Sequence, residues 1–395
     1  MLSTLKTKED KNFYKRFFFF LLWWYNGAMY QALYRKYRPK TFEEVIGQNH
    51  ITKTLSNQVL KGEVSHAYLF SGSRGTGKTS VARIFARALN CGATETGSPC
   101  YKCEVCSALS DPTNMDILEI DAASNNRVDE VREIREKVKF LPTNGKYKVY
   151  IIDEVHMLTD SAFNALLKTL EEPPAHVVFV LGTTEPHKLP QTILSRCLKF
   201  DFKLISPTEL KKHLISIFNA EKINYEDLAI DLIVSAAQGS VRDMLSIADA
   251  VVSLGGGVAS YSNALSILGA TNQDKLFAFA NAIFEGSTGS AFEIIDQAVK
   301  GGINISVFAK DLTVHFRNLL VVKSTKNANE ILSLPQETVE KMEEQASRVS
   351  EEHLMFLMKN FSEIEAELKY ALSPRTLVEV ATVKAIMGED GSKKN

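Results

Sequence analysis

Apolar and polar positions follow two rhythms along this chain, and the change between them falls near residue 207. Before that point, short apolar runs of strand length alternate with stretches whose apolar residues recur at helical spacing. The runs at 66–71 (H-A-Y-L-F-S), 116–120, 148–152 and 177–181 predict strands, and 44–60, 81–89, 127–138 and 161–170 predict helices. In the third of these helices Val128, Val131, Ile134 and Val138 share one face, and Pro173-Pro174 stop the fourth. Strands alternating with helices imply right-handed crossovers and a parallel sheet covered on both faces. After Pro207 the strand signals vanish. Residues 208–268 read as several short helices and 272–387 as longer amphipathic ones, with Gly255-Gly256-Gly257 and Gly301-Gly302 marking helix ends. The expected fold class is an α/β domain followed by all-α segments, with a polar, frayed tail at 389–395.

A length of 395 residues suits two or three domains. Apolar residues at 45% and charged residues at 24% make an ordinary soluble composition. The formal net charge of −1 excludes a global basic field, so any nucleic-acid contact needs a local basic surface. The N-terminus departs from this pattern. Residues 17–25 are continuously apolar, contain both tryptophans, and follow Lys6, Lys8, Lys11, Lys15 and Arg16. A spanning helix needs about 20 apolar residues, so the run is too short to cross a membrane. The preferred reading makes Met29 the working start and 1–28 an upstream extension. An interfacial anchor and a cleaved signal peptide are the alternatives.

Gly72-Ser73-Arg74-Gly75-Thr76-Gly77-Lys78-Thr79 matches G-x-x-x-x-G-K-T between a predicted strand and a predicted helix, with Ser80 next in line. The glycines let backbone N–H groups curl around phosphates, and the helix N-terminus adds partial positive charge. Lys78 is expected to reach the β and γ phosphates of ATP, and the Thr79 hydroxyl to ligate Mg²⁺. The strand at 148–152 ends in Asp153-Glu154. Asp153 is expected to hold Mg²⁺, and Glu154 to polarise the attacking water. A hydroxyl in Gly182-Thr183-Thr184, after the next strand, could sense the γ-phosphate. Arg196, in Leu194-Ser195-Arg196-Cys197, suits bidentate stabilisation of a transferring phosphoryl group, although a surface salt bridge explains it as well.

Four of the five cysteines, Cys91, Cys100, Cys103 and Cys106, form C-x8-C-x2-C-x2-C. Such clustering reads as metal binding in a reducing cytosol rather than as a disulfide framework. Four thiolates can close a tetrahedral structural Zn²⁺ site. An iron–sulfur site is the main rival, but the ferredoxin run continues x3-C-P, whereas Ser107 and Ala108 follow here. Reduced structural cysteines are the remaining alternative, and Cys197 is left unpaired.

Together these pieces resemble one family. Y-R-K-Y-R-P-K-T-F at 34–42 with V-I-G-Q at 45–48, the phosphate loop, D-E-V-H at 153–156, L-E-E-P-P at 170–174 and S-R-C at 195–197 are similar to clamp-loader ATPases. The cysteine insertion resembles that of the gamma/tau family of bacterial DNA polymerase III, and the resemblance as a whole spans roughly 29–387. Delta-prime relatives share the insertion but typically carry a degenerate phosphate loop.

The resemblance implies an AAA+ core at 29–206, with the zinc module at about 91–106, a helical lid at 207–270 and an oligomerising collar at 271–388. It implies Arg196 as an arginine finger acting on a neighbouring subunit's ATP, Arg242 as the lid arginine sensing its own γ-phosphate, and Thr184 as the strand-end sensor. Tyr37, Arg38, Pro39, Val45 and Ile46 would border the adenine. Arg127, Arg132 and Lys168 would touch DNA phosphates, positioning a duplex without reading sequence; a solvated helix face explains them equally. The implied partners are delta and delta-prime subunits, further copies in a pentamer, a sliding clamp, primed DNA and the polymerase III core, with no membrane, in a bacterial cytoplasm beside the nucleoid. A non-hydrolysing scaffold subunit and a different DNA-remodelling AAA+ ATPase are the rival readings. The intact Lys78, Asp153 and Glu154 oppose the first; the cysteine insertion and S-R-C oppose the second.

Overall fold

The structure is a computed structural model that describes residues 31–388 apart from 112, 125–127, 270, 272, 326, 333 and 335. The expectations for 1–28 and for the 389–395 tail lie outside the described residues. Two compact units are present, one of residues up to 223 with 233–250, the other of 224–232 with residues from 251 onward.

The first unit opens with α1 (Leu33–Lys36) and α2 (Asn49–Lys61), then runs β1 (Ala67–Gly72), α3 (Lys78–Asn90), α4 (Glu104–Ala108), β2 (Ile117–Asp121) and α5 (Val128–Lys137). It continues through β3 (Lys148–Asp153), α6 (Asp160–Glu171), β4 (Val177–Thr183), α7 (Gln191–Leu194), β5 (Leu198–Phe202) and α8 (Pro207–Glu221). The strands form one parallel sheet in the order β2-β3-β4-β1-β5, so the chain crosses over repeatedly, as the strand–helix alternation requires. Side chains alternate between faces with the period of two set by the pleat. Tyr68, Phe70, Val149, Ile151, Val178 and Val180 pack with residues of α2 and α3, whereas Leu69, Tyr150, Ile152, Phe179 and Leu181 pack with residues of α5 and α6.

Two helix starts and one whole strand differ from the pattern reading by more than a residue or two. The helix expected from 44 begins only at Asn49, because Gly47 takes φ +70° and the buried Gln48 side chain instead donates to Lys203 O at 2.7 Å. α3 starts at Lys78 rather than 81, its first turn being polar and hidden from apolar periodicity. β5 was not expected at all, although L-K-F-D-F alternates and buries Phe200 and Phe202.

α8 carries its own start and stop signals. Ser206 caps it, accepting from Glu209 N at 3.3 Å while donating to the Glu209 carboxylate at 2.8 Å, with Pro207 as first helical residue. Lys222 ends it in the left-handed region.

Beyond α8 come β6 (Asn224–Tyr225), α9 (Asp227–Ala236), α10 (Val241–Leu254), β7 (Val258–Ala259) and α11 (Tyr261–Leu268). The expectation that strands vanish after 207 is corrected by the two-residue parallel pairing of β6 with β7. A run of two residues is too short to register as a period.

Among the described residues seven helices follow, α12 (Gln273–Phe284), α13 (Thr288–Lys300), α14 (Ile305–Ser324), α15 (Ala328–Leu332), α16 (Gln336–Ser347), α17 (Glu351–Leu368) and α18 (Pro374–Met387). Phe308, Leu312, Phe316 and Leu319 of α14 are fully buried with Leu354, Leu357 and Phe361 of α17, and the Phe316 and Phe361 rings stack at 5.6 Å. Among the described residues no helix is long and apolar enough to cross a membrane.

Candidate functional site

The loop from Gly72 to Gly77 joins β1 to the N-terminus of α3, the context in which backbone N–H groups and the helix dipole gather at one point. Gly77 precedes the helix at φ +105°, which an L side chain rarely adopts. Gly75 leaves no room for a side chain, since a Cβ there would lie 1.9 Å from Ser240 Oγ and 3.2 Å from Arg242 Cβ. The start of α10, with Arg242, is thereby brought against the loop.

Lys78 is buried, and its ammonium donates to Gly72 O at 2.7 Å and Ser73 O at 2.9 Å. Burial pushes its pKa below the ordinary lysine value, against the attraction of Glu154 and Asp153. Thr76 ties the loop internally, donating to Ser73 O at 2.8 Å. Neighbouring Thr79 donates to Asp153 Oδ2 at 2.6 Å, so the hydroxyl and carboxylate expected to share a divalent cation already touch.

Asp153 ends β3 and Glu154 follows in the left-handed region at φ +47°. Thr184, just past β4, donates to Glu154 Oε2 through its hydroxyl at 3.0 Å and its amide at 3.3 Å. His156, whose side chain is nearly inaccessible, lies 3.5 Å from the same carboxylate and hydrogen-bonds Thr183 Oγ1 at 3.0 Å. Lys78, Thr79, Asp153, Glu154 and Thr184 therefore form one cluster at the strand ends, where ligands of open parallel sheets bind.

Arg196 is not drawn into that cluster. Its guanidinium donates to Thr192 O at 2.8 Å and to Glu171 Oε1 at 2.9 Å. Exposed Arg242 lies over the Tyr34 ring at 5.7 Å.

The segment expected around an adenine is tied down from several sides. Leu33 N donates to Asp249 Oδ2 at 2.7 Å, and the Tyr37 hydroxyl donates to Glu221. Burial, then that carboxylate, raises the Tyr37 pKa to about 12. Arg38 donates to Ser80 Oγ at 3.0 Å and Val45 is buried, with Pro39 and Ile46 half-buried beside them.

Cys91, Cys100, Cys103 and Cys106 converge so that all four Sγ atoms lie within 4.8 Å of one another, and no disulfide joins them. Cys100 and Cys106 Sγ are 3.9 Å apart, close to the roughly 3.8 Å that a tetrahedral shell with 2.3 Å Zn–S bonds requires. Backbone N–H groups of Lys102 and Cys103 point at Cys100 Sγ and lower its pKa to about 6, while burial pushes Cys106 up to about 12. Cys197 stands outside the cluster, and burial raises its thiol to about 11.

Of the expected DNA contacts, Lys168 is exposed on α6, while Arg127 and the Arg132 side chain lie outside the described residues. Sequence reasoning missed His156, Glu171, Glu221 and Ser240. The first two sit inside motifs already singled out, D-E-V-H and L-E-E-P-P, and Ser240 stands two residues before Arg242; Glu221 carries no local signal.

Comparison with known proteins adds three family matches. Residues 47–206 match the family described as DNA polymerase III, delta subunit; 209–257 match the DNA polymerase III clamp loader subunit, ATPase lid domain; and 259–394 match DNA polymerase III subunits gamma and tau domain III. The chain is 44% identical over 357 residues to DNA polymerase III subunit tau of Bacillus subtilis, covering 90% of this chain and 63% of that protein. It is 39% identical to subunit gamma/tau of Mycobacterium bovis, covering 90% and 62%. It is 38% identical over 292 residues to subunit gamma of Buchnera aphidicola, covering 74% of this chain and 76% of that one. The chain thus spans less than two thirds of the length of the tau and gamma/tau relatives.

Proposed function

Because this chain belongs to the gamma/tau family of DNA polymerase III subunits, we propose that it is the ATPase subunit of a bacterial replicative clamp loader, using ATP binding and hydrolysis to open a sliding clamp and load it on primed DNA. The observation that carries this reading is the Thr79–Asp153 contact at 2.6 Å beside Glu154 and buried Lys78, at the mouth of an intact phosphate loop.

The nucleotide phosphates would replace Gly72 O and Ser73 O as partners of Lys78, whose partly desolvated cation gains from a phosphate more than from a carbonyl. Thr79 and Asp153 would hold Mg²⁺, which when bound neutralises phosphate charge and orients the γ group. Glu154 would polarise the attacking water once its carboxylate turns from Thr184, and Thr184 would then be released toward the γ-phosphate. Arg242, on the helix that abuts Gly75, would read the same phosphate in cis.

Arg196 would leave Glu171 and act on the ATP of a neighbouring subunit. Tyr37, Arg38, Pro39, Val45 and Ile46 would line the adenine side, with Arg38 nearer the phosphates by virtue of its bond to Ser80. The four cysteines would close a structural Zn²⁺ site with no position for water, a use that their spacing supports.

The domain division follows as an AAA+ core at 29–206, a lid at 207–270 and a collar at 271–388. The partners would be delta and delta-prime subunits and further copies of this chain in a pentamer, the sliding clamp, primed DNA and the polymerase III core, in the bacterial cytoplasm. Arg127, Arg132 and Lys168 would contact DNA phosphates.

The test is steady-state ATP hydrolysis by the chain mixed with delta and delta-prime subunits, with and without clamp and primed DNA. Strong stimulation by both, abolished in Arg196→Ala, is expected. Hydrolysis indifferent to clamp and DNA would leave the fold standing and overturn the clamp-loading role.

A further inference from the structure

Two residues inside the four-cysteine module bond to the short segment that separates the two groups of residues proposed above to line the adenine side. The Tyr101 hydroxyl donates to Lys40 O at 2.9 Å. Buried Ser98 accepts from Phe42 N at 3.0 Å through its hydroxyl, which donates in turn to Glu43 Oε2 at 2.8 Å. Lys40 directly follows Pro39, and Glu43 lies two residues before Val45. The stretch 40–43 is therefore pinned by the module, midway between Tyr37, Arg38 and Pro39 on one side and Val45 and Ile46 on the other.

The module is braced in its turn. Ser56 of α2 donates to Thr96 O at 2.5 Å, and Gly97 sits so close that a Cβ would lie 2.6 Å from Ser56 O. Arg87 of α3 lies over the Tyr101 ring at 5.4 Å. Tyr101 itself adopts φ +55°, a costly conformation for an aromatic residue. It falls between Cys100 and Cys103, where a closed cysteine cluster would hold it. Burial raises the Glu43 pKa, yet hydrogen bonds from Ser98 and its neighbours outweigh this and leave it below the ordinary value, so the contact favours a charged, anchored carboxylate.

We propose that the four-cysteine module is a buttress for the nucleotide site, with Ser98 and Tyr101 as positioning residues that hold 37–46 in the shape that receives the adenine end of the ligand. The inference rests on the nucleotide-binding reading given above and adds a role for the module within it. Without these three bonds the segment has to be ordered at the moment of binding, and that ordering is subtracted from affinity. A neutral hydrogen bond is worth roughly fivefold in a binding constant and one to a charged carboxylate more, so removing all three is expected to weaken adenine-nucleotide binding by about ten- to a hundredfold.

The experiment compares the full chain with Ser98→Ala, Tyr101→Phe and the double variant, all retaining the four cysteines. Zinc content is measured on each by elemental analysis. Equilibrium affinity is measured for a fluorescent ADP analogue and, by competition, for inorganic tripolyphosphate, which has phosphates but no adenine. Expected are unchanged zinc content, weakened ADP binding, unchanged tripolyphosphate binding, and a raised KM for ATP with kcat preserved.

Undiminished ADP affinity in the double variant would overturn the proposal. So would an equal loss for ADP and tripolyphosphate, because that pattern reports general damage rather than a displaced adenine wall. Failure of the unaltered chain to bind either ligand would instead sink the nucleotide-binding reading itself.

Discussion

The Thr184 hydroxyl donates to Glu154 Oε2 at 3.0 Å, tying the residue beyond one central strand to the carboxylate beyond its neighbour. The same oxygen accepts from Thr184 N at 3.3 Å, and Glu154 is held at φ +47°, where a non-glycine residue costs about 1–3 kcal/mol. In the proposed mechanism a carboxylate fixed in this way would serve as a base only once the contact opens. Glu154→Gln keeps the hydrogen bonds but cannot take a proton, so kcat should fall by about 10²–10⁴, with kcat/KM falling equally. Steady-state kinetics beside equilibrium ATP binding checks this; a raised KM with unchanged kcat would assign Glu154 to ground-state binding instead.

Arg196 and Glu171 form a partly exposed pair at 2.9 Å, worth about 0–1 kcal/mol and therefore easily exchanged for a phosphate. Arg196→Ala is expected to lower ATP turnover in the assembled complex by about 10³–10⁵ while leaving the slow hydrolysis of the isolated chain unaltered. Glu171→Gln should change assembled turnover by no more than a few-fold. Turnover measured against increasing concentrations of partner subunits separates the cases. An equal loss in the isolated chain would place Arg196 in its own site.

Much of this site is legible in the chain because its chemistry is local. The phosphate loop needs strand, glycines, lysine and threonine in consecutive positions, and the acidic pair needs only a strand end. The cysteines announce themselves by spacing. What stays hidden depends on the sheet order. β5 lies beside β1 although about 130 residues separate Ser71 from its partner Asp201, and only the fold brings Thr184 to Glu154 or Ser240 to Gly75. The two-residue pairing of β6 with β7 is below the length at which alternation can be read. His156 was in view as the last letter of D-E-V-H, but its role depends on β4 placing Thr183 within 3.0 Å.

The cysteine cluster predicts a measurable dependence on metal. One zinc per chain is expected by elemental analysis, and Cys106→Ser, which removes the buried member of the cluster, should lower that content sharply. Losing a structural metal that braces a folded domain by about 2–3 kcal/mol would lower the melting midpoint of the first unit by about 5–10 °C. Calorimetry of the variant and of chelator-treated protein checks both numbers. A zinc-free protein with an unchanged melting profile would leave the cysteines as reduced core residues.

His315 predicts how the helical unit responds to acid. The side chain is fully enclosed on α14, and its Nε2 lies 2.8 Å from Gln345 Oε1. The Gln345 amide nitrogen already donates to Phe277 O and Asn281 Oδ1, at 2.9 and 2.8 Å, so its oxygen is the acceptor and neutral His315 donates from Nε2. Burial lowers the His315 pKa from the ordinary 6.5 to about 4, with the Gln345 bond opposing weakly. The folded state therefore binds this proton less readily than the unfolded chain. Above pH 7 the group contributes no pH dependence. Between pH 6.5 and 4 the unfolded state takes up the proton first, and stability falls as pH falls. At pH 5 the loss amounts to about 2 kcal/mol. Urea unfolding of the helical unit at pH 7.5 and 5.0, compared between the native chain and His315→Gln, isolates the contribution from that of other acid-sensitive groups. The variant should be less stable at pH 7.5 but lose about 2 kcal/mol less on acidification. Parallel pH slopes for the two proteins would mean that His315 takes up its proton as readily in the folded state as in the unfolded one, contrary to its burial.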